Sequence, residues 1–210
     1  MALDLEEQES LAEFKAWWRQ YGGMVVSVVT AAAIAGAGWQ GWRLYQANRA
    51  SQASALYDSL SKAAQLGDAK ALRDAGGALV ESYPRTLYAS MGALALARFY
   101  FDRNDLKGAQ AQLQWVIERS PAAEFRDLAR LRLAALLLDQ KAYDEALKQL
   151  GEKHAAAFDA QYEALRGDVL VAGGKPADAK AAYKAALEKA GKGDGALRDG
   201  VRVRLDALGG

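Results

Sequence analysis

Two patterns of hydrophobic and polar positions divide the chain. From Gln20 to Trp42 it runs for 23 residues without a charged side chain, bounded by Arg19 and Arg43. A helix of that length rises roughly 35 Å, enough to cross the hydrocarbon core of a bilayer. Met24 to Thr30 is rich in valine, but alanine and glycine dilute the stretch from Ala31 to Gly41, so the flanks must support the reading. They do: Trp17, Trp18 and Tyr21 stand at one end, and Trp39, Trp42 and Tyr45 at the other. Amphipathic rings at both ends are what two membrane interfaces select, and a buried core helix has no need of them. A cleavable signal peptide would lead with basic residues. Here residues 1–21 set Asp4, Glu6, Glu7, Glu9 and Glu13 against Lys15 and Arg19, a net of −3. The pattern therefore predicts a short tail (1–21) and an uncleaved anchor (22–42). The positive-inside rule does not orient it, because Lys15 and Arg19 on one side balance Arg43 and Arg49 on the other. Ala33, Ala37 and Gly41 recur four apart and would let a second helix approach, a pattern that alanine richness alone also produces.

From residue 43 to the end the periodicity is helical throughout, and the breaks in it repeat. Gly67-Asp68, Asn104-Asp105, Lys141-Ala142-Tyr143 and Gly174-Lys175-Pro176 lie 37, 37 and 33 residues apart. A period near 34 built of helix, turn and helix is the tetratricopeptide pattern. The clearest unit, about 90–121, places Leu96-Ala97 in its first helix, Tyr100 after them, Asn104-Asp105 at the turn, and Ala109 and Leu113 in its second helix; Pro121 ends it. A unit at 127–157 has Leu133-Ala134, the turn exit Tyr143-Asp144-Glu145-Ala146, and Leu150. A unit at 160–190 has Gly167, Gly174, Ala179, Tyr183 and Ala186. An earlier unit, 53–84, carries Leu60, Gly67-Asp68 and Tyr83-Pro84 but puts Leu72 where alanine is preferred. Leu197, Val201, Leu205 and Leu208 give 196–208 the pattern of a capping helix. Two antiparallel helices approach closely only where Ala or Gly faces the partner, and one such pair cannot bury its own apolar face, so units must stack. The expected fold is all-α: an N-terminal single transmembrane helix, then a tetratricopeptide-like helical-repeat solenoid over 43–210.

Composition agrees: 51% of residues are hydrophobic, alanine above all, and only three are proline. Alanine favours helix, and runs of alternating β-branched residues are scarce. The net charge of +1 offers no basic face for nucleic acid. The absence of cysteine removes disulfides, zinc–thiolate sites and thiol nucleophiles together. His154, in a polar stretch, reads as a solvated surface histidine, since it has no companion for a metal set. Gly173-Gly174-Lys175 lacks the glycine and the Ser or Thr that would make it a phosphate loop: Val169 and Pro176 hold those places. Asp144-Glu145, and Asp102 with Asp105, fall at helix ends and turns, where capping explains carboxylates. No catalytic, cofactor-binding or metal-ligating set is expected, and no enzyme. What remains is the inner face that the first helix of each unit lines in such solenoids. By position it includes Met91, Leu94, Arg98, Phe101, Leu128, Leu131, Leu138 and Val171, with Ala135, Ala164 and Asp168, an apolar groove with few charges that suits an extended or partly folded polypeptide; the alternative is that several of these leucines pack between helices and are never exposed.

The acidic start, Phe14-Lys15-Ala16-Trp17-Trp18-Arg19-Gln20-Tyr21-Gly22, the anchor ending Gly41-Trp42-Arg43-Leu44-Tyr45, and the repeats with Tyr88-Ala89-Ser90, Leu131-Arg132-Leu133-Ala134 and Leu165-Arg166-Gly167-Asp168 together resemble the YfgM family, ancillary subunits of the bacterial SecYEG translocon. The resemblance covers residues 5–208. It implies an inner-membrane, single-pass protein with a cytoplasmic N-terminus and a periplasmic repeat domain. It also implies partners: SecYEG, a membrane-anchored periplasmic folding factor of the prolyl-isomerase type, and emerging chains passed on to chaperones. A different class of function, a scaffold for folded cell-wall or outer-membrane assembly factors, fits the same anchor and repeats.

Overall fold

The computed structural model describes residues 2–209, with the side chains of residues 9–209. Met1 and Gly210, the outermost residues of the expected tail and repeat domain, lie outside the described residues. Helices α1 (Ala2–Leu66), α2 (Ala69–Ser82), α3 (Leu87–Asp102), α4 (Leu106–Arg119), α5 (Ala123–Asp139), α6 (Tyr143–Leu150), α7 (Asp159–Ala172), α8 (Pro176–Lys189) and α9 (Gly195–Ala207) follow one another, with one 3₁₀ turn at Ala156–Phe158. The described residues form no β-strand. The chain divides into two compact units, one ending at Arg49 and one beginning at Ala50.

The first unit is helix alone. Large apolar side chains along it are exposed: Met24, Val26, Val28, Val29 and Ile34 are 53–70% exposed. That is the opposite of a buried core helix, and it leaves a surface that needs an apolar solvent. The helix within Glu9–Leu66 is long and apolar enough to cross a membrane. Ser27 fits that setting, because its hydroxyl donates to the Gly23 carbonyl at 2.8 Å and is satisfied without water. Rings gather at both ends: Phe14, Trp17, Trp18 and Tyr21 neighbour one another, with centroids 6.0–6.3 Å apart, and Trp42 lies 6.2 Å from Tyr45.

In the second unit the four turns seen in the sequence share one backbone solution. Gly67, Asn104, Lys141 and Gly174 all have positive φ, between 60° and 73°. After each, the next amide reaches back to the helix just ended: Asp68 to Ala63, Asp105 to Tyr100, Ala142 to Leu137 and Lys175 to Leu170, at 2.8–2.9 Å. This is the Schellman ending, which satisfies the orphaned carbonyls of a helix C-terminus and requires one left-handed residue. The residue after it opens the next helix. Asp68 accepts from the Lys70 and Ala71 amides, and Asp105 from the Gly108 amide. At the fourth turn Pro176 takes the first helical position, where no amide is needed.

These turns reverse the chain, and small residues let the reversed helices close up. Ala93, Ala97, Ala109, Ala129, Ala134 and Ala146 are all at most 4% exposed, and the central core packs Leu113, Leu133, Leu150, Tyr162 and Val169 around them. At Gly167 the approach is closest. A Cβ there would overlap the ring of Tyr183 on α8, so the glycine is required by space. Each helix from α2 to α9 packs on its neighbour in sequence, and α5 also meets α7. Contact between successive elements is how a solenoid buries a continuous core.

His154 departs from expectation. It is not a solvated surface residue: its ring stacks on Tyr162 at 3.8 Å between centroids, Nδ1 lies 2.9 Å from the Glu152 carbonyl, and Nε2 lies 3.2 Å from the Asp159 carboxylate. The cause is the shortness of α6. The chain from Gly151 leaves the helix and lies against α5 and α7: the buried Asp127 of α5 receives the Ala155 amide at 3.0 Å, and the Tyr162 hydroxyl of α7 donates to the Asp127 carbonyl at 2.7 Å.

Candidate functional site

A cleft of about 530 Å³ opens between α3 and α5, with α4 behind it. Leu94, Ala97 and Phe101 of α3 form one wall, Ala135 and Leu136 of α5 the other, and Ala109 and Leu113 of α4 close the back. Most of these side chains are small or already used in the core, and that leaves the space unfilled. Phe101, 39% exposed, is the large apolar group at the mouth. Arg98, Arg132 and Asp139 complete the lining. A second cleft of about 290 Å³, between the last turn of α1, the start of α2, and α3, shares Arg98 with the first and adds Ala64, Leu72, Ala95 and Phe99.

The charges around the larger cleft are unevenly satisfied. Arg98 pairs with Asp102 one turn along α3 at 2.9 Å, both of them exposed. Such a pair contributes at most about 0.5 kcal/mol. Arg132 has neither a hydrogen bond nor a carboxylate partner among the described residues; burial, and then the neighbouring Arg98 charge, push its guanidinium below the ordinary arginine value. Asp139, two turns further along α5, makes no ion pair or hydrogen bond among the described residues, and both it and the outer part of Arg132 are exposed to solvent. Among the described residues no three of His, Cys, Asp and Glu gather as a metal set.

The structure brings together only part of the expected groove. Leu94, Arg98 and Phe101 line the cleft together. Met91 is half-buried on α3 and does not line it. Leu128, Leu131 and Leu138 are half-buried and pack against the central core. Val171 is exposed on α7, away from the cleft. On α3 the chosen register, Leu94, Arg98, Phe101, matches the lining. On α5 the expected Ala135 lines the cleft, but its companions there are Arg132, Leu136 and Asp139, each one position on from the expected Leu131, Ala135 and Leu138. One residue is about 100° around a helix, enough to turn a groove residue into a packing residue.

Stacked helix pairs closed by repeated Schellman turns, preceded in the chain by a helix long and apolar enough to cross a membrane, define a membrane-anchored repeat protein of the tetratricopeptide type. A family model described as a tetratricopeptide repeat-like domain matches residues 15–210. The "Ancillary SecYEG translocon subunit" of Neisseria gonorrhoeae is 32% identical over 99% of this chain and 100% of its own length. Proteins of the same description from Haemophilus influenzae, covering 90% of this chain and 92% of the relative, and from Escherichia coli, covering 72% of each, are both 28% identical. The chain belongs to the tetratricopeptide-like family of ancillary SecYEG translocon subunits. No solved structure matches it.

Proposed function

We propose that this protein is a non-catalytic interaction module tethered at the translocon. In this reading residues 1–21 are a cytoplasmic tail, 22–42 the single-pass inner-membrane anchor, and 43–210 a periplasmic repeat domain. Its groove around Leu94, Arg98 and Phe101 of α3, flanked by Met91 on the same helix, by Leu128, Leu131 and Leu138 on α5 and by Val171 further along on α7, receives polypeptides emerging from SecYEG and passes them to periplasmic chaperones. A membrane-anchored prolyl-isomerase-type folding factor is its neighbour there. The observation that carries the reading is the full-length similarity to proteins described as ancillary SecYEG translocon subunits. The open apolar cleft supports it: a groove that presents Phe101 and small side chains binds by general apolar contact, with little demand on sequence. Extraction of the full-length protein in mild detergent tests it. Co-elution with SecYEG is expected, and isolation free of translocon subunits under those conditions contradicts the reading.

A further inference from the structure

The two unpaired charges of the larger cleft carry an inference about its occupant, and it rests on the reading of the groove just proposed. Arg132 and Asp139 lie seven positions apart on α5, about 10.5 Å along the axis, and both line the same apolar cleft. An extended chain advances about 3.3 Å per residue, so three residues cover that distance. Arg132 also stands near Arg98, whose own carboxylate partner, Asp102, lies on α3. Both side chains reach solvent at the mouth of the cleft, so each is free to meet an incoming charge: an acidic group brought to Arg132 would offset the repulsion from Arg98, and a basic group brought to Asp139 would form an ion pair there. Between the two, Phe101, Leu94 and Ala135 frame apolar space of the size that holds a small ligand or a side chain. We infer that the cleft takes an extended polypeptide segment in which one apolar side chain enters the space between α3 and α5, flanked by an acidic residue at Arg132 and a basic residue about three positions away at Asp139. The apolar wall supplies affinity and the two charges supply register.

The test uses the full-length protein in detergent and two dye-labelled peptides capped at both ends. One has the sequence Gly-Ser-Glu-Phe-Ser-Lys-Ser-Gly, and the other replaces its Glu and Lys by Gln. The charged peptide should bind about fivefold more tightly, and the preference should fall as salt is raised. Arg132→Gln and Asp139→Asn should each reduce the preference and Arg132→Lys should keep most of it, in variants whose melting matches that of the parent. Equal binding of the two peptides, or a preference unchanged by Arg132→Gln, overturns the inference. A permanently unfolded, carboxymethylated protein separates the inference from its foundation. If neither peptide binds while the unfolded protein does, and Phe101→Ser weakens it, the charge inference falls and the groove reading stands. Unfolded protein that fails to bind, or binds regardless of Phe101→Ser, removes both.

Discussion

Lys141 sits at φ 61°, a left-handed conformation that its Cβ disfavours by about 1–2 kcal/mol, in a turn position that Gly67 and Gly174 fill at no such cost. Lys141→Gly should raise stability by about 0.5–1 kcal/mol once the extra freedom of glycine in the unfolded chain is subtracted, read as a higher melting temperature by circular dichroism. Tyr162 is a different case. Its ring is fully buried, burial and then the Asp127 charge push its hydroxyl up to about 12, and the protonated hydroxyl holds the Asp127 carbonyl. A raised folded-state value means that stability is fully present below pH 10, the ordinary tyrosine value, and is lost as pH rises from 10 towards 12. Tyr162→Phe should cost about 0.5–1.5 kcal/mol at neutral pH and flatten the alkaline decline. Equal alkaline slopes in parent and variant, measured by unfolding across that range, would contradict this assignment.

At the scale of the helix pair, close approach depends on Ala109, 1% exposed between α3 and α5. Ala109→Leu should force the helices apart at a cost of about 1–3 kcal/mol, and an unchanged melting temperature would mean that no close approach exists there. Much at this scale was legible in the chain. Glycine and asparagine before aspartate mark a left-handed residue followed by a cap, and the small residues five positions beyond the left-handed residue, Ala109, Ala146 and Ala179, mark the packed face. Two features were not legible. Helix α6 stops at Leu150, where Gly151 caps it, but nothing in the sequence shows that Asp127 and Tyr162, both distant in sequence, hold the segment after it and that His154 lies on the Tyr162 ring. The groove register of α5 was also concealed. Leu128, Leu131, Leu133, Leu136, Leu137 and Leu138 cover nearly the whole circumference, so periodicity alone could not say which stripe faces the cleft. Only the packing of α5 against α4 and α7 decides it.

For the whole molecule, sequence pattern specified an anchor and a repeat domain but left the anchor's direction open, since basic residues balance across it. The proposed orientation can be read directly, because the chain contains no cysteine of its own. Asp178→Cys, exposed in the first turn of α8, should react with an impermeant maleimide in intact spheroplasts; reaction only after lysis would place the repeat domain in the cytoplasm. The division of charge fits a tethered role: residues 1–21 sum to −3 and residues 43–210 to +4, so the two sides of the anchor present different surfaces. The central claim is that the α3–α5 cleft holds emerging chains beside the translocon, and photocrosslinking to a stalled secretory chain tests it most directly. A photoreactive side chain replacing Phe101 should form adducts with the stalled chain in native membranes, whereas the same group replacing Lys184, exposed on α8, should form few. Adducts from position 184 but not from 101, or none from either, would contradict the account.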